Sequence, residues 1–237
     1  MTLFAILKKD FYNYFSNASG YIYLTIYILG TGFLFFINST SDYLNITQNI
    51  NLLITITIFV SPNIASNLFL KEKLNKTDVL LNVSPISLKS IVLGKYFSAL
   101  LLHIFASIFT VFCYVPIFII FKSDIGIYIS GVLGTLLFGA AMISIGLFTS
   151  ISFNKKSLIY LCNLSISSFI IILNITSFVT DNLFIKNFLS AISLINHYNE
   201  FFYGIISLKN IIFFFIVSIT FIFLTIYKFN FNRLYDR

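Results

Sequence analysis

Tryptophan does not occur in this 237-residue chain, proline occurs three times, cysteine twice, and charged residues make up only 10% of it. A soluble domain carries about 25% charged residues to wet its surface. So little charge excludes an ordinary water-covered globule and, equally, a disordered polar tail. The two cysteines, Cys113 and Cys162, both lie in apolar runs. They form neither a disulfide framework nor a metal spacing and read as small packed hydrophobes. The chain is apolar instead: 58% of its residues are hydrophobic, 30 are Phe, and the mean hydropathy is +0.95. Lipid is the solvent that suits such a composition.

The formal net charge of +7 is not a nucleic-acid signal, because a nucleic-acid binder gathers Lys and Arg on one solvated face. Here they fall in short gaps between apolar runs, where they orient a membrane protein. No nucleic-acid partner is expected. Lys8, Lys9 and Asp10 stand among aromatics near the start, which is not the layout of a cleavable signal peptide.

A helix crossing the hydrocarbon core needs about 20 mostly apolar residues. Six stretches qualify: 20–37, 51–70 with Pro62 inside, 94–121 with a break or kink near Pro116, 125–151, 158–180 and 211–227. The chain therefore reads as all-α, a single transmembrane domain over 1–237, with the third and fourth spans joined in a tight hairpin at 122–124. Six spans put both ends on one side. That side holds Lys8, Lys9, Lys71, Lys73, Lys76, Lys89, Lys95, Lys155, Lys156, Lys228, Arg233 and Arg237, against Lys122, Lys186 and Lys209 opposite. The positive-inside rule then predicts a multi-pass protein of the cell inner (cytoplasmic) membrane with both termini cytoplasmic.

Three stretches outside the spans carry information. In 1–18, Leu3, Phe4, Leu7, Phe11, Tyr14, Phe15 and Ala18 recur at helical spacing, with Lys8, Lys9, Asp10, Asn13 and Asn17 on the other face. Such a helix is predicted to lie in the membrane interface. The loop 71–93 is the longest and most charged on the inner side. Thr77 serves as an N-cap, Asp78 suits the positive helix start, and Ser84-Pro85 ends a short helix presenting Val79, Leu80, Leu81 and Val83. Those apolar residues either dip back toward the bilayer or fill a groove on a partner. The segment 182–210 is too polar to span and too apolar to be fully solvated. It is predicted as one or two short helices, re-entrant or interfacial, in the outer half of the membrane.

Catalytic constellations are not found. There is no phosphate-binding GxxxxGK[ST] loop, no HExxH and no GxSxG. His103 falls inside the third span and is expected as a packed, hydrogen-bonded residue. His197 stands three residues before Glu200, a spacing that suits an interfacial hydrogen bond. Serines in the spans are expected to bond back to helix carbonyls. Gly131, Gly134, Gly139 and Gly146, with Ala140 and Ala141, predict close helix packing along the fourth span, against a helix of this chain or of a second protomer. The spans carry almost no charge, whereas ion-driven carriers need titratable groups at depth. Any transport therefore draws its energy from elsewhere.

Three segments in order resemble one family. The opening LFAILKKDFYNYFSNASGYIYLTIYILGTGFLFF, the loop LKEKLNKTDVLLNVSPISLKSIVLGKYFSALLL and the late segment LINHYNEFFYGIISLKNIIFFF are similar to those of permease subunits of ABC transporters of the type-2 export class, gliding-motility-type and multidrug-export-type permeases among them. The loop matches at Glu72, Lys73, Thr77, Leu80, Leu81, Ser84, Pro85, Gly94 and Lys95. It departs at Lys76, where the family has Gly, and at Asp78-Val79, where it has an apolar-acidic order. The resemblance implies a permease subunit without enzymatic activity or a cofactor of its own. ATP and Mg would sit on a separate ABC ATP-binding subunit, and a second permease copy or paralogue would complete a dimer in the lipid bilayer. It also implies ATPase coupling through Glu72, Lys73, Thr77, Asp78, Val79, Leu80, Leu81, Val83 and Pro85, with transport by alternating access. The alternative from the residues alone is a non-transporting scaffold or assembly factor of a membrane complex, which needs no neighbouring ATPase.

The sidedness has a direct check. A fluorescent protein fused after residue 237 is expected to fluoresce and an alkaline phosphatase fused there to be inactive; the reverse pattern places the termini outside.

Overall fold

The computed structural model describes residues 2–39, 46–74, 87–121, 125–180 and 182–235, and among these every regular element is an α-helix. They run in the order α1 (Thr2–Ser16), α2 (Ala18–Ser39), α3 (Ile46–Leu74), α4 (Leu88–Phe121), α5 (Ile125–Ser152), α6 (Lys156–Val179), α7 (Leu183–Ile192), α8 (Leu194–Phe202) and α9 (Leu208–Tyr235). Five segments are long and apolar enough to cross a membrane: Leu53–Leu74, Leu88–Phe112, Ile125–Ser152, Lys156–Ser177 and Leu208–Arg233. At 1.5 Å per residue, even the 22-residue segments reach about 33 Å, enough for the hydrocarbon core. The chain is a multi-pass helical membrane protein. Over the first stretch expected to span, α2 is a helix of 22 residues.

Helix α5 is the axis of the bundle. It packs most extensively on α3 and next on α9, and nearly all of its residues from Phe138 to Ile151 are buried. Lipid offers no hydrophobic drive for helix association, so close approach and interhelical hydrogen bonds do that work. The glycines of α5 make the approach possible within the chain itself. A methyl at Gly146 would strike the Pro62 backbone of α3, one at Gly139 the His103 ring of α4, and one at Gly134 the Tyr198 and Phe201 side chains of α8. The small-residue stripe is thus occupied by neighbours from the same chain. By contrast α6 and α9 turn most of their surface outward, showing residues such as Leu161, Phe169, Ile216 and Phe223.

Pro62 does not interrupt α3. A proline removes the amide that would have bonded the carbonyl four residues earlier, and in hydrocarbon that carbonyl needs another donor. Ser167 of α6 supplies it, its hydroxyl lying 2.8 Å from the Ile58 carbonyl. Helix α4 likewise continues through Pro116.

Two expectations change. The loop expected over 71–93 is shorter, because α3 continues to Leu74 and α4 already begins at Leu88. Lys73 finds acceptors and Glu72 a cation within the protein, so charge does not end α3, and Ile91 and Val92 are fully buried in the first turns of α4. The expected coupling helix, with Thr77, Asp78, Val79, Leu80, Leu81 and Val83, and its expected stop at Pro85 lie outside the described residues, as does the 122–124 corner. The second change is the rotation of α1. Its Asp10, expected on the solvated face, is 3% exposed, while Phe4, expected on the apolar face, is exposed. The helix lies along α4, with Ile6 over Gly94, and Tyr14 donates to the Ile64 carbonyl of α3 at 3.2 Å. Burial, then the nearby Asp10 charge, keeps the Tyr14 proton on well above the usual range, so it remains a donor.

Space decides the cost of filling a glycine. Gly146→Ala is expected to lower the thermal midpoint of the detergent-purified protein, by the equivalent of about 1–3 kcal/mol for overpacking. Gly126→Ala, with nothing within 4 Å of the new methyl, should be neutral or slightly stabilising through helix propensity. Equal effects at the two sites would contradict the packing.

Candidate functional site

Glu72 and Lys73, the two described residues of the expected coupling set, sit in the last turn of α3, where the chain leaves for the 75–86 segment. Both are engaged inside the molecule. The Lys95 ammonium of α4 lies 2.8 Å from a Glu72 carboxylate oxygen and 3.4 Å from an Asp10 carboxylate oxygen of α1. The Lys95 side chain is 1% exposed. Its remaining surroundings are the Leu68 carbonyl at 3.5 Å and the face of the Phe69 ring, 4.9 Å to the centroid. Lys9, largely in solvent, stands 3.8 Å from the same Glu72 oxygen. Two carboxylates and two ammonium groups therefore balance, with Lys95 at the centre.

Such an arrangement has a definite energetic character. Desolvating charges is expensive, and the attraction between them repays it only with good geometry and further hydrogen bonds. The cluster is accordingly a weak source of net stability. It is a strong constraint, because removal of one member leaves its partners buried and uncompensated. Asp10, Glu72 and Lys95 come from three different helices, so the constraint fixes how α1, α3 and α4 meet.

Lys73 closes a second junction. Its ammonium donates to the carbonyls of Ser150 at 3.0 Å, Ile151 at 3.0 Å and Phe153 at 2.9 Å. These are acceptors at the C-terminus of α5, where intrahelical donors run out and the helix dipole is negative. One ammonium has three protons, and this position offers three oxygens. Adjacent residues of α3 thus bind different neighbours: Glu72 reaches α4, and Lys73 reaches α5.

A polar seam continues from there into the bundle along α3, α5 and α6. Ser150 donates to the Ser66 carbonyl at 2.7 Å, and Tyr160 to the Asn67 side chain at 3.0 Å. Asn163 donates to the Asn63 side chain at 3.0 Å and accepts from Thr149 at 2.7 Å. Farther along α6, Asn174 donates to Asn196 of α8 at 2.8 Å, and Asn196 donates to Ser177 at 3.2 Å. Reading charge alone missed this seam. Its signal was the helical spacing of Tyr160, Asn163, Ser167, Asn174 and Ser177, which recur on one face of α6. Many serines do bond back along their own helix, as Ser98, Ser107 and Ser144 do, but Ser150 and Ser167 donate across helices.

The histidines hold fixed structural places. His103 donates from Nε2 to the Thr135 carbonyl at 3.2 Å, so its Nδ1 accepts from the Tyr23 hydroxyl at 2.7 Å. One neutral tautomer satisfies both bonds. His197 pairs with Asn210 of α9 at 2.7 Å and the Ala191 carbonyl at 3.1 Å, and not with Glu200. The Asn210 amide is fully buried, and its nitrogen has no hydrogen-bond partner. Turning that amide over lets its nitrogen donate to His197 Nδ1, so that one neutral tautomer of His197 accepts from Asn210 and donates to the Ala191 carbonyl. Among the described residues no group of three or more His, Cys, Asp or Glu is arranged to hold a metal ion.

Comparison with protein-family models and with curated proteins finds no match to this chain.

The charge cluster is tested by imbalance. Lys95→Met is expected to lower stability by roughly 3–5 kcal/mol, the usual result of stranding buried partners. The triple variant Lys95→Met, Glu72→Gln, Asp10→Asn should recover much of that loss, read as thermal midpoints in one detergent. If the triple variant is simply the sum of three losses, the residues do not act as a unit.

Proposed function

We propose that the chain is the membrane-spanning permease subunit of an ATP-driven ABC exporter, moving its substrate by alternating access with a separate ATP-binding subunit as motor. In this reading α2 is a sixth span, both termini face the cytoplasm across the inner membrane, and α1 lies at the cytoplasmic interface. Helices α7 and α8 lie at the outer face. The segment 77–83 is the coupling helix, ATP and Mg are bound by the partner alone, and a second permease copy or paralogue completes the translocation unit.

The observation that carries the reading is the double anchorage at the end of α3. A loop that only joined two spans would not need its flank tied into three other helices. Here Glu72 is bonded to Lys95 at the start of α4, which also holds Asp10 of α1, and Lys73 is bonded to the end of α5. A push on the coupling segment would reach all four helices together, as a rigid-body step requires. The contacts make a contiguous path between these helices, and the two-state movement along it is the proposal. The sequence resemblance in the opening, the loop and the segment before α9 supplies the identity of the motor.

The reading is tested by co-expressing the chain with the ABC ATP-binding subunit whose gene lies nearest to its own. In co-purification the Leu80→Asp, Leu81→Asp double variant should lose the ATPase and its permease-dependent ATP turnover, since two charges forced into a dry contact cost several kcal/mol. Unchanged association and turnover would sink the proposal.

A further inference from the structure

Between α4 and α9 lie two cavities in line. The upper one has a volume of about 440 Å³ and is lined by apolar side chains such as Leu100, Ile104 and Leu137, with only Tyr96 and Ser218 contributing hydroxyls. Exposed Phe97, Phe215 and Ile219 frame its opening on the lipid-facing side. The lower one, about 400 Å³, is lined by Leu88, Phe223 and Ile226 together with Ser87, Lys89, Tyr227 and Asn230. Leu93 of the upper cavity stands one turn beyond Lys89 on α4, and Ile222 is next to Phe223 of the lower one on α9. Taken as one groove along the α4–α9 seam, they place a single cation, Lys89, at the rim of the lower, mainly apolar cavity, at the end of the bundle carrying α1.

The geometry points to this groove as a binding site for one anionic phospholipid of the leaflet at that end, with an acyl chain in the upper cavity and the phosphate at Lys89. Helix interiors in membranes pack closely, and a gap of this size facing hydrocarbon forfeits dispersion contacts along its whole lining. The surrounding solvent is acyl chain, so an acyl chain is what enters. Chain contact alone would give no preference over bulk lipid. Selectivity comes from the mouth, where Lys89 in the first turn of α4 adds its charge to the positive end of the helix dipole. Ser87, Tyr227 and Asn230 bring hydrogen-bonding groups to the same rim, and Arg233 follows Asn230 three residues on along the same face of α9. A phosphate diester between two chains fits this sequence of polar rim and apolar slot. A free anion has no use for the slot. That the leaflet is the cytoplasmic one rests on the orientation proposed above.

The test is native mass spectrometry of the whole chain from nanodiscs of phosphatidylglycerol or phosphatidylcholine. One phosphatidylglycerol per chain should be retained in preference to phosphatidylcholine. Lys89→Gln should weaken phosphatidylglycerol retention by about fivefold, the worth of one basic residue near an anionic surface, and leave phosphatidylcholine unchanged. Ile219→Trp, which fills the slot from an exposed position, should weaken both. Equal retention of the two lipids, insensitive to Lys89→Gln, overturns the proposal. So does an interchain disulfide formed by Phe97→Cys in a chain with Cys113→Ala and Cys162→Ala, which would put a second copy on the groove. The measurement needs neither the ATPase nor a known sidedness. A negative result therefore removes the lipid site and leaves the exporter reading standing.

Discussion

An ammonium group that is 1% exposed in a helical membrane protein dictates what must surround it. Lys95 cannot be desolvated alone, and the two carboxylates that neutralise it come from α1 and α3. That requirement explains the rotation of α1, which turns an acidic residue into the protein and leaves Phe4 outside. It also explains why α3 can run to Leu74 past a charged pair. The first helix is therefore bolted to the bundle at the same point where the loop to α4 departs.

The rest of the bundle follows from the lack of water. Where backbone groups lose their helical partners, side chains from other helices replace them: Ser167 for the carbonyl released by Pro62, and Lys73 for the open end of α5. Where helices must touch, glycines of α5 remove the side chain that would hold them apart. The seam of Asn63, Asn67, Tyr160 and Asn163 adds polar contacts between α3 and α6. Two kinds of junction result. The charged one at the α1 end is costly to take apart, whereas the neutral ones deeper in the bundle are individually modest.

The helical membrane class was legible because it depends on sums over twenty-residue windows, and each stretch expected to span falls on a helix, several of them longer than expected. Partners were not legible. The periodicity of α1 put Asp10 with Lys8 and Lys9 because all three are charged, and no local rule says that a lysine 85 residues later will draw one of them inward. Counting Lys95 toward orientation hid its second role for the same reason. The glycines of α5 were readable as close-packing positions, yet spacing cannot say which helix arrives; the structure shows α3, α4 and α8. His197 illustrates the limit of neighbour rules. Its sequence neighbour Glu200 was the obvious partner, but the chain folds back to offer Asn210 instead.

The central claim is that Lys95 holds α1 against the junction of α3, α4 and α5. A spin label at exposed Tyr12 of α1 and another at exposed Asn154, just beyond α5, report that relation as a distance distribution in nanodiscs. The account expects one narrow distribution in the otherwise unchanged chain and a broad or shifted one in the presence of Lys95→Met. The same narrow distribution in both would show that α1 is held by something other than the buried ammonium.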